Sequence, residues 1–345
     1  MVGGMGPGRG RGAYVTANDV AAEAGVSAAT VSLVVNGRAA GRVSLATQRK
    51  VHDAVAKLGY RVDAFARGLA TGRRGAIALV TPDIADPFFS QVAMGVARGL
   101  RGRYQLILVA TGDPAGVTPP VVDDLAAMRV DGVLVESTAA ELLDGERSPW
   151  PIVLLDAPGH GGTAGRVDFD IASGVAELVD HLWSLGHRSI GYLDWVAESP
   201  TFRVRRTALV GAWSRRGGDT RIGRSRIQIR DAALAFERLA HGWLGRVTAV
   251  IGATDQQAYG VLRAAHKLGV RVPEELSVAG FNNLEFSEVS DPPLTSVAFP
   301  AVDLGLRAAE MLIHAIDGHG PDSQVLGTRL EVRASTSKAA RTAAE

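Results

Sequence analysis

The chain has 345 residues, 46% of them hydrophobic, with no cysteine and a formal net charge of +1. That length leaves room for a small domain beside a core of about two ordinary domains. The missing thiols exclude disulfides, thiolate metal sites and a catalytic cysteine, and they suit a reducing compartment.

Residues 1–13 are rich in glycine and arginine and read as a flexible arm, with Met5 a second candidate start. Residues 16–36 then divide into two short helices about a tight turn. Thr16 and Ser27 stand where a side-chain oxygen caps a helix start. Val20, Ala21 and Ala24 share one face of the first helix, and Val31, Val34 and Val35 one face of the second. Gly25 supplies the positive φ of a sharp corner, and Val26 plugs that corner from inside. A third amphipathic helix follows, capped by Ser44, carrying Leu45, Val51, Ala54, Val55 and Leu58, and stopped at Gly59.

Two helices around such a turn suit a helix that lies in the DNA major groove with its N-terminal residues at base edges. Thr16, Ser27, Thr30, Ser32 and Asn36 are small donors placed to reach phosphates. A three-helix cap that binds nothing shares the apolar pattern, but charge argues for nucleic acid. Residues 1–75 hold eleven basic and four acidic side chains, a surplus of +7 that leaves −6 for the other 270. Positive charge gathered at one end is the electrostatic footprint of a DNA binder.

Beyond residue 75 the pattern changes. Short apolar runs at 76–81, 105–110, 131–135, 152–155, 189–193, 247–252 and 277–281 alternate with amphipathic stretches at 90–102, 172–185, 202–216, 231–244, 256–268 and 303–317. This alternation predicts an α/β protein with buried parallel sheets in two doubly wound lobes. In such sheets ligands bind beyond the carboxyl ends of strands. Asp83 and Asp86 follow one strand; Asp156, Asp255 and Asn282 end or follow others. Carboxylates there can accept sugar hydroxyls, and an arginine can donate in a fork.

The run from Asp19 to Asn36 (Asp-Val-Ala-x-x-Ala-Gly-Val-Ser-x-x-Thr-Val-Ser-x-Val-x-Asn) resembles the headpiece of the lactose/galactose repressor family. Further similarities are Gly59-Tyr60, Ala66 with Leu69, Asp86-Pro87-Phe88-Phe89, Arg129 to Val133, and His181-Leu182 with Gly186-His187-Arg188. Ala253-Thr254-Asp255, Pro292 to Val297 and Ser335-Thr336 complete a resemblance running from about residue 14 to 337. It implies a helix-turn-helix headpiece at 14–62, a hinge helix and linker at 63–75, a two-lobed effector-binding and dimerisation core at 76–338 resembling periplasmic sugar-binding proteins, and a tail at 339–345. It also implies three crossings between lobes, near 157–168, 284–290 and 296–301.

By the same resemblance, the DNA-binding set is Thr16, Ser27, Ala28, Ala29, Thr30, Ser32, Leu33, Asn36 and Arg42, with the hinge residues Ala66 and Leu69. The effector-binding set is Asp86, Phe88, Phe89, Asp156, Arg205, Asp255 and Asn282, with Arg205 twelve residues before Gly217 as in the family. Phe89 also fits ordinary core, and Asp255 a helix N-cap. The chain departs from the family's pattern at several positions. Asn282 stands where Asp is usual, Thr254 where Asn is common, and Val62-Asp63 where Pro-Asn is usual. Arg230 aligns loosely with a stacking aromatic. These departures put a plain neutral hexose in doubt and admit a modified or anionic ligand. Ala28, Ala29 and Leu33, at the base-reading positions, can touch thymine methyls but make no bidentate hydrogen bonds.

The expected function is a ligand-responsive transcriptional regulator, a repressor, with a sugar or sugar-like effector and no cofactor. One headpiece offers few base contacts, so a homodimer on a palindromic operator is expected, its paired hinges in a minor groove. No leucine heptad follows residue 337, which argues against a tetramerising tail. The alternatives are a DNA-binding regulator without small-molecule control and a secreted sugar-binding protein. The first would share every headpiece feature. The second conflicts with residues 14–72 and with a start that has no apolar signal-peptide core. No apolar stretch is long enough to span a membrane, and a cytoplasmic protein is expected. An enzyme is not: the first strand lacks the glycine fingerprint of a dinucleotide site, no histidines show metal spacing, and no serine sits in a nucleophile elbow.

Overall fold

The computed structural model describes residues 15–35, 37–60, 75–112, 119–136, 150–159, 164–197 and 199–340. The expected arm, Asn36, Ala66 and Leu69 lie outside these residues. Two compact units emerge, Met1–Gly75 and Ala76–Glu345.

The first unit contains α1 (Ala17–Ala24), α2 (Ala28–Val35) and α3 (Leu45–Leu58). Thr16 and Asp19 form a reciprocal capping box at α1, and Gly25 ends that helix at φ 66°. Ser27 Oγ accepts from Thr30 N at 3.1 Å, and Ser44 Oγ from Thr47 N at 3.2 Å, capping the next two helices. Val20, Ala21, Val31, Val34, Val51 and Ala54 form the core, joined by Ala39 from the loop between α2 and α3. Leu45, expected on the apolar stripe of α3, is 74% exposed. It lies six residues before Val51, about 240° round the helix and off the stripe.

The second unit begins with β1 (Ala76–Thr81), α4 (Pro87–Leu100), β2 (Gln105–Ala110), α5 (Pro119–Met128), β3 (Gly132–Glu136), β4 (Ile152–Leu155) and β5 (Gly165–Phe169). Next come α6 (Ile171–Ser184), β6 (Ser189–Trp195), α7 (Pro200–Arg215), β7 (Asp219–Ser225), α8 (Ile229–Trp243) and β8 (Ala249–Gly252). They are followed by α9 (Asp255–Leu268), β9 (Ser277–Asn282), α10 (Phe286–Val289) and β10 (Thr295–Ala298). The last elements are α11 (Ala301–Ile316), β11 (Ser323–Leu326) and β12 (Arg329–Glu331). One sheet runs β11-β5-β4-β3-β1-β2 and the other β12-β10-β9-β8-β6-β7. All pairings are parallel except β10 with β12. The inner strands are buried along their length, as a parallel sheet covered on both faces requires.

The chain changes sheet after Phe169, between β10 and α11, and between β11 and β12. Of the expected crossings, only 296–301 coincides with one. Residues 157–168 lead into β5 of the first sheet, and 284–290 hold α10 between two strands of the second. A buried apolar segment carries no mark of which sheet it joins, so these crossings were invisible to patterning. Phe169 and Phe299 stack at 4.9 Å beside the two crossings, with Phe88 and Phe281 against them.

In the first lobe α4 packs on α11 through glycine. A Cβ at Gly95 would stand 2.0 Å from Val302 O, and one at Gly305 2.1 Å from Val92 O. The two backbones touch directly, and no side chain fits between them. Among the described residues no helix is long and apolar enough to cross a membrane.

Candidate functional site

A cleft of about 660 Å³ opens between the strand ends of the two sheets. Its volume falls in the usual range for small-molecule sites. From the first lobe come Asp83, Asp86, Phe88 and Phe89 after β1, Glu136 at the end of β3, and Asp156 after β4. The facing wall carries Trp195, Thr201, Phe202, Arg205, Arg226, Gln228, Thr254, Gln256 and Asn282.

Asp156 is buried and held at φ 49°, and Asn282 at φ 104°. Positive φ is unfavourable for a residue with a Cβ, and such strain gathers at binding sites. Thr201 Oγ1 donates to Asp156 Oδ2 at 2.7 Å, while Oδ1 has no partner. Burial pushes the Asp156 carboxyl up to about 7; the Thr201 hydrogen bond and Arg205 pull it down, and Glu136 and Asp168 push further up. Asp86 caps α4 by accepting from Phe88 N at 2.9 Å. Burial raises it to about 6, with Asp83 and Glu136 adding repulsion against hydrogen bonds from Phe88 and Gln256.

Arg205 is 3% exposed. Its Nη1 donates to the Ala253 carbonyl, and its guanidinium lies 4.7–4.9 Å from the ring centroids of Phe202, Phe281 and Phe299. Aromatic faces offset part of the cost of burying that charge. Burial lowers the Arg205 pKa, opposed by Tyr192, Asp156, Asp194 and Asp255. Its Nε has no partner. A buried carboxyl oxygen and a buried N–H, both unpaired on one cleft, suit a hydroxylated ligand that donates to one and accepts from the other.

Asp86, Phe88, Phe89, Asp156, Arg205 and Asn282 therefore share one cavity. Asp255, expected with them, does not line it. It is fully buried, and its carboxyl accepts from Ser296 Oγ at 2.6 Å, Leu284 N at 2.7 Å and Ser287 Oγ at 3.0 Å. Thr254, not Asp255, caps α9, its Oγ1 accepting from Gln257 N. The neighbours Thr254 and Gln256 line the cleft instead. Arg230 is exposed at the start of α8 and outside the lining. Sequence reading missed Glu136, Trp195, Thr201 and Phe202. Glu136 and Trp195 end apolar strands just as Asp156 follows one, and that signal was available.

In the first unit Ser27, Ala29 and Ser32 are exposed; Ala28, Thr30 and Leu33 are half-buried beside the inward Val31 and Val34. Thr16 Oγ1 donates its proton to Asp19 at 2.8 Å, which occupies the donor expected for phosphate. Ser27 Oγ and Thr30 Oγ1 share a hydrogen bond at 2.9 Å. Arg42 is exposed in the loop pinned by buried Ala39.

Residues 16–63 match bacterial regulatory proteins of the lacI family, and residues 179–336 match a periplasmic binding protein-like domain. Catabolite control protein A of Staphylococcus xylosus is 30% identical over 336 residues, spanning 93% of this chain and 99% of that protein. The chain belongs to the lacI family. Its fold agrees with that of the lac repressor dimer solved with operator and the anti-inducer ONPF, at TM-score 0.83 and 26% identity over 94% of this chain and 100% of that one. The regulator CelR, solved as a cellobiose complex, matches with TM-score 0.66 and 28% identity over 93% and 99%. As a lacI-family member this chain is a DNA-binding transcriptional regulator with an N-terminal helix-turn-helix and two parallel-sheet α/β lobes.

Proposed function

We propose that this regulator is a repressor that binds a palindromic operator as a homodimer and is released by a sugar or sugar-like effector held in the interlobe cleft. The assigned organisation is an arm at 1–13, a headpiece at 14–62, a hinge and linker at 63–75, an effector-binding and dimerisation core at 76–338, and a tail at 339–345. The reading places the protein in the cytoplasm and assigns it no enzymatic step. Asp86, Phe88, Phe89, Asp156, Arg205 and Asn282 contact the effector. Ser27, Ala28, Ala29, Thr30, Ser32, Leu33 and Arg42 face DNA, with Asn36 on phosphate and Ala66 and Leu69 in the minor groove.

The observation that carries the effector assignment is the pair of unpaired, buried polar atoms, Asp156 Oδ1 and Arg205 Nε, on opposite walls of one cleft. An effector joining them favours the closed cleft. Control of DNA affinity then requires different ligand affinities in the two states, typically worth about 1–3 kcal/mol of coupling. The lac repressor complexes with operator and CelR with cellobiose support both halves of the reading by kinship.

A thermal-shift screen of sugars and nucleosides identifies the ligand, since binding to the native state alone raises its melting point. Operator affinity is then measured with and without that ligand, for wild type and Arg205→Ala. Loss of the response in Arg205→Ala with basal operator affinity kept is the expected result. A full response in that variant overturns the site. A screen with no stabilising compound favours a regulator without small-molecule control.

A further inference from the structure

Asn282 is the last residue of β9. It stands at φ 104° and Asn283 at φ 51°, two consecutive residues in a region that side chains with a Cβ rarely adopt. Backbone of this kind persists only where its surroundings hold it. Here the hold converges on the carboxyl of Asp255. The Leu284 amide donates to Oδ2 at 2.7 Å, and Ser287 Oγ donates to the same oxygen at 3.0 Å. Ser296 Oγ donates to Oδ1 at 2.6 Å and itself accepts from the Asn283 amide at 3.0 Å. Both amides that follow Asn282 are thus tied to one buried carboxyl, that of Leu284 directly and that of Asn283 through a serine.

Two further observations fit a built support. A Cβ at Gly280 would lie 2.3 Å from Asp255 Oδ1, so only glycine lets the carboxyl come this close to β9. Register pairs Gly280 with Ser296, which brings the serine beside that carboxyl. Asn283 is meanwhile engaged by Arg333, whose Nη2 donates to Asn283 Oδ1 at 2.7 Å and whose Nη1 donates to the Leu294 carbonyl at 2.7 Å. Asn282 lines the cleft, and Asn283 does not.

We propose that Asp255 is a positioning residue for the effector: it fixes the backbone of 282–284 so that Asn282 is presented to the cleft, and it sets effector affinity without touching the ligand. The inference rests on the cleft being the effector site. The Asn282 amide carries both donors and an acceptor, and its value to a hydroxylated ligand depends on where it points. A turn free to relax to negative φ would swing that side chain, and the cost of ordering it would fall on binding. The bonds to Asp255 and Ser296 place that ordering in the folded protein, before any ligand arrives.

A double-mutant cycle on the full chain tests this. The probe is whichever of D-ribose, D-glucose, cellobiose and adenosine most raises the wild-type melting temperature, and its affinity is measured by calorimetry where every variant is folded. Ser296→Ala, which cuts the link to the Asn283 amide, and Asp255→Asn each weaken binding roughly fivefold or more. Asn282→Ala weakens it too, and adding Ser296→Ala to Asn282→Ala brings no further loss. Wild-type affinity in both Ser296→Ala and Asp255→Asn overturns the proposal and leaves the cleft assignment standing. So does wild-type affinity in Asn282→Ala, or a full additional loss in the double variant, which means that the carboxyl acts by another route. Should Asp255→Asn fail to fold, the cycle of Ser296→Ala with Asn282→Ala decides alone. If no compound of the panel binds the wild type, the effector reading falls and this proposal with it.

Discussion

Thr201 Oγ1 reaches across the cleft to Asp156 Oδ2, 2.7 Å away, joining the start of α7 in one lobe to the end of β4 in the other. This bond supplies the largest single opposition to the burial that raises Asp156. Thr201→Val keeps the shape and removes the donor. The expected loss of stability is about 1–3 kcal/mol, the usual cost of leaving a buried polar group unpaired. Asp156 moves to a pKa above its present value of about 7. Thr201→Ser restores both. Urea melts of the three proteins decide the matter, and a Val variant as stable as wild type removes Thr201 from this role.

Buried carboxyls also set the pH dependence of the core. Asp156 and Asp255 stand at about 7, from an ordinary 3.8, because burial disfavours their charged forms. Between those values the native state binds more protons than the unfolded chain, so stability falls as pH rises. From pH 8 to 6.5 the core should gain about 1.5 kcal/mol from the two groups together. Further acidification is opposed by His187, lowered to about 4 by burial, which must gain a proton on unfolding. Asp255→Asn should show about half the gain. A melting temperature that is flat or lower at pH 6.5 contradicts the assignment.

The glycine contact of α4 and α11 gives a sharper mechanical test. Gly305→Ala places a methyl 2.1 Å from a carbonyl oxygen of Val92, and Gly95→Ala one 2.0 Å from that of Val302. Backbone cannot yield as a side chain can, so each substitution forces the helices apart. A loss of about 1–3 kcal/mol or more is expected, read as a lower urea midpoint at unchanged slope. Variants with the wild-type midpoint mean that the helices do not meet in this way.

On the proposed reading, hydroxyls of the headpiece meet phosphates and its methyl groups meet bases. Thr30→Ala removes a hydroxyl shared with Ser27 and should weaken binding to every sequence alike. Ala29→Gln and Leu33→Gln add hydrogen-bonding reach at exposed or half-buried positions of α2 and should change which bases are preferred. Selection from a random operator library separates the two effects. An unchanged preferred sequence in both Gln variants refutes the base-reading assignment.

Much of this was legible from residues alone, and the exceptions have physical causes. Asp156 stands out because Ile-Val-Leu-Leu announces a buried strand and a charge just past it must face an opening. Glu136 obeys the same rule after Gly-Val-Leu-Val and was passed over. The strand-end rule does not give direction, however. Thr254, Asp255 and Gln256 are consecutive at the start of a helix, and the outer two face the cleft while the middle one turns into a knot of Ser287 and Ser296. Thr201 becomes a site residue only through its approach to a residue 45 positions earlier. No local pattern encodes that. The edge strand β7 (Asp-Thr-Arg-Ile-Gly-Arg-Ser) is polar at five of its seven positions and went unseen, because an edge strand needs little apolar surface.

The first sheet ends with β11, and its flank is covered by α11, both from the far end of the chain. During synthesis, the lobe begun at residue 76 stays unfinished until residue 326 has left the ribosome. By then every strand of the other lobe but the short β12 has already emerged. Neither lobe is a transferable module in a contiguous stretch of gene. A hybrid regulator made by joining two proteins within the cleft would inherit two incomplete sheets. One joined near residue 75 would exchange the DNA address and keep the sensor whole.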